Sequence, residues 1–174
     1  VVLALYEKGR QIGASTCVPD AGASPFAVDW IVARLQSFGL VKVKLKCGQD
    51  NVSLALVARV AAKRAHPTMQ EQAPVRSHQS LGGVERWHRS LQEQVRTIRL
   101  QLEVGTGGTL TSDMDAMPWM VRHASWQLAR FHVPRASGVT SFMQVQGQNY
   151  DSPLMIFGEV VLARRPEGLE LGVH

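Results

Sequence analysis

Glu85 is the residue whose type and place are best suited to chemistry. It lies one position past the predicted start of a long helix and directly after the segment 80–83, Ser-Leu-Gly-Gly. A carboxylate there is held on a rigid element beside a mobile one, which suits a functional group. Its structural role would be to favour the helix dipole and pair with Arg89 at i+4. Its functional role would be that of a metal ligand.

A row of polar side chains follows Glu85 along the same helix. Its members are spaced three or four positions apart and therefore share one side of the helix: Glu85, Arg89, Gln92, Arg96 and Arg99. Guanidinium groups bind phosphate through a planar fork of N–H donors. We therefore predict that Arg89, Arg96 and Arg99 contact the phosphates of a nucleic acid.

Three lysines mark a second basic surface. Lys42, Lys44 and Lys46 alternate with the apolar positions 41, 43, 45 and 47, the period-two pattern of a strand with one buried face. We predict that these lysines also bind nucleic acid. The net charge of +5 at pH 7 favours a polyanionic partner without identifying one, and a basic domain without such a partner is the alternative.

Composition limits the remaining classes. With 174 residues, 45% hydrophobic and 19% charged, the chain is typical of one globular domain and not of a disordered or collagen-like protein. Cys17 and Cys47 lack metal spacing and are too few for a secreted disulfide framework, so we predict buried, reduced thiols in an intracellular protein. The six histidines lack the spacing of a zinc site. Because the chain starts without Met inside an apolar run, we expect a fragment of a longer protein.

Hydrophobic spacing and turn residues predict the elements that position these groups. They are a β-hairpin over 1–18, a helix between Pro25 and Gly39, a strand over 41–47, a helix over 53–65, a long loop over 66–82, a helix over 84–102, a helix over 119–132 and a strand over 157–163. Trp87, Trp119 and Trp126 fall at helical core spacing. This α/β order places the central strand inside a mixed sheet covered by helices.

The segment 77–92, SHQSLGGVERWHRSLQ, resembles the stretch around the last catalytic Glu of retroviral and retrotransposon integrase cores. Segments 24–39 and 42–51 are similar to the middle of that domain, and segments 118–132 and 157–160 to its C-terminal part in copia-type retrotransposon polyproteins. The resemblance covers nearly the whole chain. It implies an RNase H-like mixed sheet flanked by helices, with a core over 1–133 and a C-terminal extension over 134–174 that contains a short strand.

The resemblance also implies a site in which two Asp and one Glu hold two divalent ions, Mg²⁺ or Mn²⁺, for the strand transfer of DNA ends. Glu85 matches the Glu, but Tyr6 and Gly48 stand at the two Asp positions. Asp50 lies two residues past Gly48 and is either a helix cap or a displaced ligand, so Glu85 and Asp50 are the candidate catalytic and metal-binding residues. Glu7 is a poor replacement, because strand neighbours point to opposite faces.

The predicted function is therefore that of a retroelement integrase core, binding nucleic acid and acting in DNA integration, whose metal-binding triad is degraded. A catalytically inactive nucleic-acid-binding or assembly module is the alternative, and the sequence does not separate such a module from a decaying relic. The expected partners are DNA and a second copy of the chain, which would pack through the helices that carry Glu85 and Trp119. We expect no membrane association and a nuclear location.

Overall fold

The computed structural model describes residues 1–74, 81–134 and 137–160. The elements in these ranges are β1 (Val2–Glu7), β2 (Ile12–Cys17), α1 (Pro25–Ser37), β3 (Val43–Cys47), α2 (Asn51–Lys63), β4 (Thr68–Gln72), α3 (Gly82–Thr106), α4 (Ala116–Phe131) and α5 (Ser141–Gln146). None of the helices in these ranges has the length and apolar character needed to cross a membrane.

The predicted N-terminal hairpin is confirmed. β1 and β2 pair antiparallel, with Tyr6 opposite Gly13. The turn between them is closed by Glu7, whose carboxylate accepts the backbone N–H of Gly9 at 2.6 Å and of Arg10 at 2.8 Å. The Arg10 side chain adds an ion pair to the same carboxylate at 3.2 Å. The Glu7 carboxylate therefore stabilises the hairpin turn in which it lies.

The predicted strand of alternating lysines is confirmed as β3, and Leu45 lies buried on its apolar face. The prediction of an unbroken loop over 66–82 is wrong, because Thr68–Gln72 forms β4, parallel to β3. The sequence TMQEQ lacks an alternating apolar pattern, so this strand is stabilised by its ladder with β3 and not by an apolar face of its own. Positions 75–80 lie outside the described residues.

The strands form two separate pairs, β1 with β2 and β3 with β4, where the sequence predicted one mixed sheet. Both pairs nevertheless contribute to one core beneath α1 and α2. Leu45 of β3 lies in the same apolar cluster as Ile31 and Val60 of these helices, and Leu3 and Leu5 of β1 pack against it. In the described ranges, α1 and α2 therefore cover the strands as predicted, but the two strand pairs are not joined by hydrogen bonds into one sheet.

The long helix predicted over 84–102 is confirmed as α3, with Trp87, Leu91 and Ile98 on its buried side. A buried hydrogen-bond network joins α3 and α4 to the hairpin. The indole Nε1 of Trp87 donates to Ser15 Oγ at 2.8 Å, and the backbone N–H of Ser15 donates to Ser125 Oγ at 2.7 Å. Buried polar groups are costly unless they are paired, so this network fixes the hairpin to both helices.

Two predictions on aromatic and apolar residues fail. Trp119 was predicted in the core, but 62% of it is exposed on α4. The strand predicted over 157–163 is not formed in its described part, where residues 157 and 158 lie in a turn and the backbone N–H of Glu159 donates to Ile156 O. Phe157 instead packs against the core between α3 and α4, and this contact takes the place of a strand ladder. Positions 161–163 lie outside the described residues.

The two thiols are free, as predicted, but each is only half-buried. Burial raises the pKa of both Cys17 and Cys47, which keeps them protonated and weakly nucleophilic near neutral pH.

Candidate functional site

Tyr6 lies beside the turn of α3 that carries Glu85. A Cβ atom at Gly83 would come within 2.7 Å of Tyr6 Cε1, so the phenol ring rests directly on the backbone of that turn. The Tyr6 ring also lies near the Trp87 ring, and the two ring centroids are 6.3 Å apart. Burial raises the pKa of the Tyr6 phenol, which is therefore neutral at pH 7 and cannot supply the negative oxygen of a carboxylate.

Glu85 is exposed on the first turn of α3, and its backbone N–H donates to Leu81 O at 3.1 Å. Glu85 and Arg89 do not form the predicted i,i+4 ion pair in the part of the chain that the structure describes. The first-turn carboxylate still lies at the positive end of the helix dipole.

Asp50 is the N-cap of α2. Its Oδ1 accepts the backbone N–H of Ser53 at 2.8 Å, and this hydrogen bond, followed by one from the Ser53 side chain, holds the pKa of the Asp50 carboxyl below its usual range. Of the two roles that the sequence left open, the geometry is that of the cap.

A two-metal centre needs several negative oxygens around a shared point. Across residues 1–74, 81–134 and 137–160, no three His, Cys, Asp or Glu side chains lie close enough together to hold a metal ion. Glu7 is bound by its own turn and Asp50 by its helix, while Tyr6 and Gly48 provide no carboxylate. The residues present do not fit a two-metal centre.

The six predicted nucleic-acid contacts fall into two groups. Lys42, Arg89 and Arg96 are exposed, and none of them forms an ion pair within the described ranges. The other three are paired with acids. Lys44 and Lys46 share Glu71, and Arg99 binds Glu103 at 2.9 Å.

The ion-pair partners of these three cations are Glu71 and Glu103, two acids that the sequence did not single out. Glu71 lies on β4, inside the segment predicted as a loop, so no periodic pattern could have placed it beside the lysines. Glu103 is four residues past Arg99, a spacing that predicts a helical ion pair. Glu103 also accepts the backbone N–H of Leu110 at 2.8 Å, and this bond together with Arg99 lowers its pKa.

The arrangement of the elements described above is similar to that of a retroviral integrase catalytic core. The chain is similar to the catalytic core domain of BIV integrase, as seen in its crystal form I, with a TM-score of 0.59 and 15% sequence identity. The match covers 84% of this chain and 85% of that chain. No protein-family model matches the sequence, and no curated protein matches it. At 15% identity the likeness establishes the fold alone.

Proposed function

We propose that this chain is a retroelement integrase-type core domain, of the copia-like kind, that binds DNA and has lost the carboxylates for strand transfer. The observation that carries the proposal is the similarity of the fold to an integrase catalytic core. By the sequence resemblance, Glu85 matches the catalytic Glu, and Tyr6 and Gly48 stand at the two Asp positions. Asp50 caps α2 and Glu7 closes the hairpin turn, so neither acid is available to replace the missing ligands. These structural roles of Asp50 and Glu7 favour a catalytically inactive nucleic-acid-binding domain over an active integrase.

The proposed partner is DNA, reached in the nucleus, and binding is through the phosphate backbone without base recognition. Lys42, Arg89 and Arg96 support this, because exposed cations that form no ion pair within the described residues can neutralise phosphates without breaking an ion pair there. An active relative would need Mg²⁺ or Mn²⁺. We propose that this chain binds neither ion tightly, since the phenol of Tyr6 and the missing side chain of Gly48 offer no anionic ligand.

The affinity for duplex DNA is expected to fall steeply with salt. If Lys42, Arg89 and Arg96 each contact one phosphate, the slope of log K against log salt is about −2.7. Electrophoretic titrations of the parent chain at several salt concentrations measure it. The Arg96→Ala variant should flatten the slope by about one unit, because one phosphate contact is lost.

The Lys63→Ala variant is the matched control for this measurement. It removes the same charge from α2, where Lys63 is paired with Asp29, and should leave the slope unchanged. Binding that is absent, or that does not respond to salt, would contradict the proposed function.

A second copy of the chain is the other proposed partner. The outer sides of α3 and α4 expose large apolar residues, among them Val104 at 84% and Trp119 at 62%. Exposed apolar surface of this kind favours association. Sedimentation equilibrium should show a dimer of the parent chain in the micromolar range, and the Trp119→Lys variant should be a monomer. A parent chain that is monomeric at high micromolar concentration would exclude the proposed dimer.

A further inference from the structure

Two lysines of β3 hold a single glutamate of β4 on the exposed face of the parallel pair. Lys46 Nζ lies 2.6 Å from Glu71 Oε1, and Lys44 Nζ lies 3.1 Å from Glu71 Oε2. Lys46 and Glu71 are direct partners in the strand register, and Lys44, two residues earlier, shares their face. We call Lys44, Lys46 and Glu71 the lysine–glutamate cluster.

The cluster is open to solvent and not neutral. Its side chains are 59%, 31% and 33% exposed for Lys44, Lys46 and Glu71, and two ammonium groups against one carboxylate leave one positive charge. Lys42, which is also exposed, precedes Lys44 by two residues on the same strand path. Exposed ion pairs between lysine and glutamate are weak, so an external anion can replace the carboxylate.

The carboxylate and a phosphodiester present the same chemistry to this lysine pair. Each carries negative charge on two oxygens bound to one central atom, and an ammonium group donates to either with similar geometry. Hydrogen bonds from Lys46 and Lys44 hold the pKa of Glu71 below its usual range, so the internal anion is present throughout the neutral pH range. The lysine pair is therefore spaced for one bridging anion.

We propose that Lys44 and Lys46 form a binding site for a backbone phosphate of nucleic acid, and that Glu71 occupies this site in the unbound protein. The inference rests on the DNA binding proposed above and adds the residue that limits it. Glu71 thus acts as an internal competitor: a phosphate gains the two lysines only after the carboxylate leaves them.

The Glu71→Gln variant tests this directly. Gln keeps the size of the side chain and removes the competing charge, so affinity for a duplex DNA oligonucleotide should rise at least about threefold, and the salt slope should steepen by about 0.9 units for one new phosphate contact. Adding Lys44→Ala and Lys46→Ala to this variant should cancel the gain. Glu71→Ala is a second variant with the same expected direction, and thermal melting checks that each protein is folded.

Asp29→Asn is the matched control, because it changes the net charge by the same amount and breaks one exposed ion pair, that of Lys63. It should leave the salt slope as in the parent chain. If the parent binds DNA and Glu71→Gln gains no more than Asp29→Asn, the inference is overturned and the proposed function remains. If no variant binds DNA, the proposed function fails and the inference falls with it.

Discussion

The double variant Tyr6→Asp, Gly48→Asp is expected to bind Mn²⁺ at least about tenfold more tightly than the parent chain, because ligand charge sets the affinity of an oxygen site for divalent ions. The parent chain is expected to show no strand transfer with Mg²⁺ or Mn²⁺. Isothermal calorimetry measures the metal affinity, and a DNA strand-transfer assay measures the activity.

The structure allows both substitutions. Residue 6 lies against Gly83, in the turn of α3 that also carries Glu85, so an Asp there is placed beside that turn. A Cβ at position 48 would approach only Asp50 Oδ2, at 2.9 Å, the end of a flexible side chain that can shift. Loss of the Tyr6 ring removes a contact with Trp87 and is expected to cost stability.

The matched control is the variant Tyr6→Asn, Gly48→Asn, which has the same side-chain size and no negative charge. It should bind no better than the parent chain. Each single Asp variant should leave the site incomplete. If Tyr6→Asp alone binds Mn²⁺ and Asp50→Asn then abolishes the binding, Asp50 is a ligand after all. Tight binding or strand transfer by the parent chain would refute the loss of the triad.

The Gly13→Val variant is expected to lose about 3 kcal/mol or more of folding free energy, at the upper end of the range for overpacked sites. A Cβ at position 13 would overlap the indole ring of Trp87. That ring is buried, with 6% exposed, and its Nε1 is held by Ser15 Oγ, so it has little freedom to move away. Urea unfolding followed by tryptophan fluorescence measures the loss.

Valine forms strands better than glycine, so the effect would have the opposite sign if the space beside residue 13 were open. A Trp87→Leu change made together with Gly13→Val provides the control. If the steric overlap is the cause, the two changes combined should cost less than the sum of their separate costs. A Gly13→Val protein as stable as the parent would contradict this packing.

Local patterns predicted the elements that carry their own signal. The three- and four-residue spacing of Trp87, Leu91 and Ile98 predicted α3, and the alternation around Leu45 predicted β3. β4 could not be predicted, because its residues 68–72 become a strand through pairing with β3. Glu71 was missed for the same reason.

In the candidate site, too, local sequence predicted which residues are involved but not which contacts they make in the folded chain. The sequence offered Asp50 as cap or ligand, and only the backbone position of Ser53 decides for the cap. Helical spacing placed Trp119 on an apolar side of α4, but spacing cannot tell which part of that side meets a neighbour. The contact between Tyr6 and Gly83 joins distant parts of the chain, so no local pattern could predict it.

The hydrogen bond from Ser15 to Ser125 spans 110 residues of sequence. On a ribosome that adds about 5–20 residues per second, the hairpin emerges roughly 5–20 s before the serine that completes its buried network. Throughout that interval the buried residues of β2 lack their α4 cover, and Trp87 lacks it from the time of its own synthesis. The nascent chain therefore keeps this surface, which is buried in the folded protein, exposed until α4 has been synthesised, an interval in which chaperones can bind it.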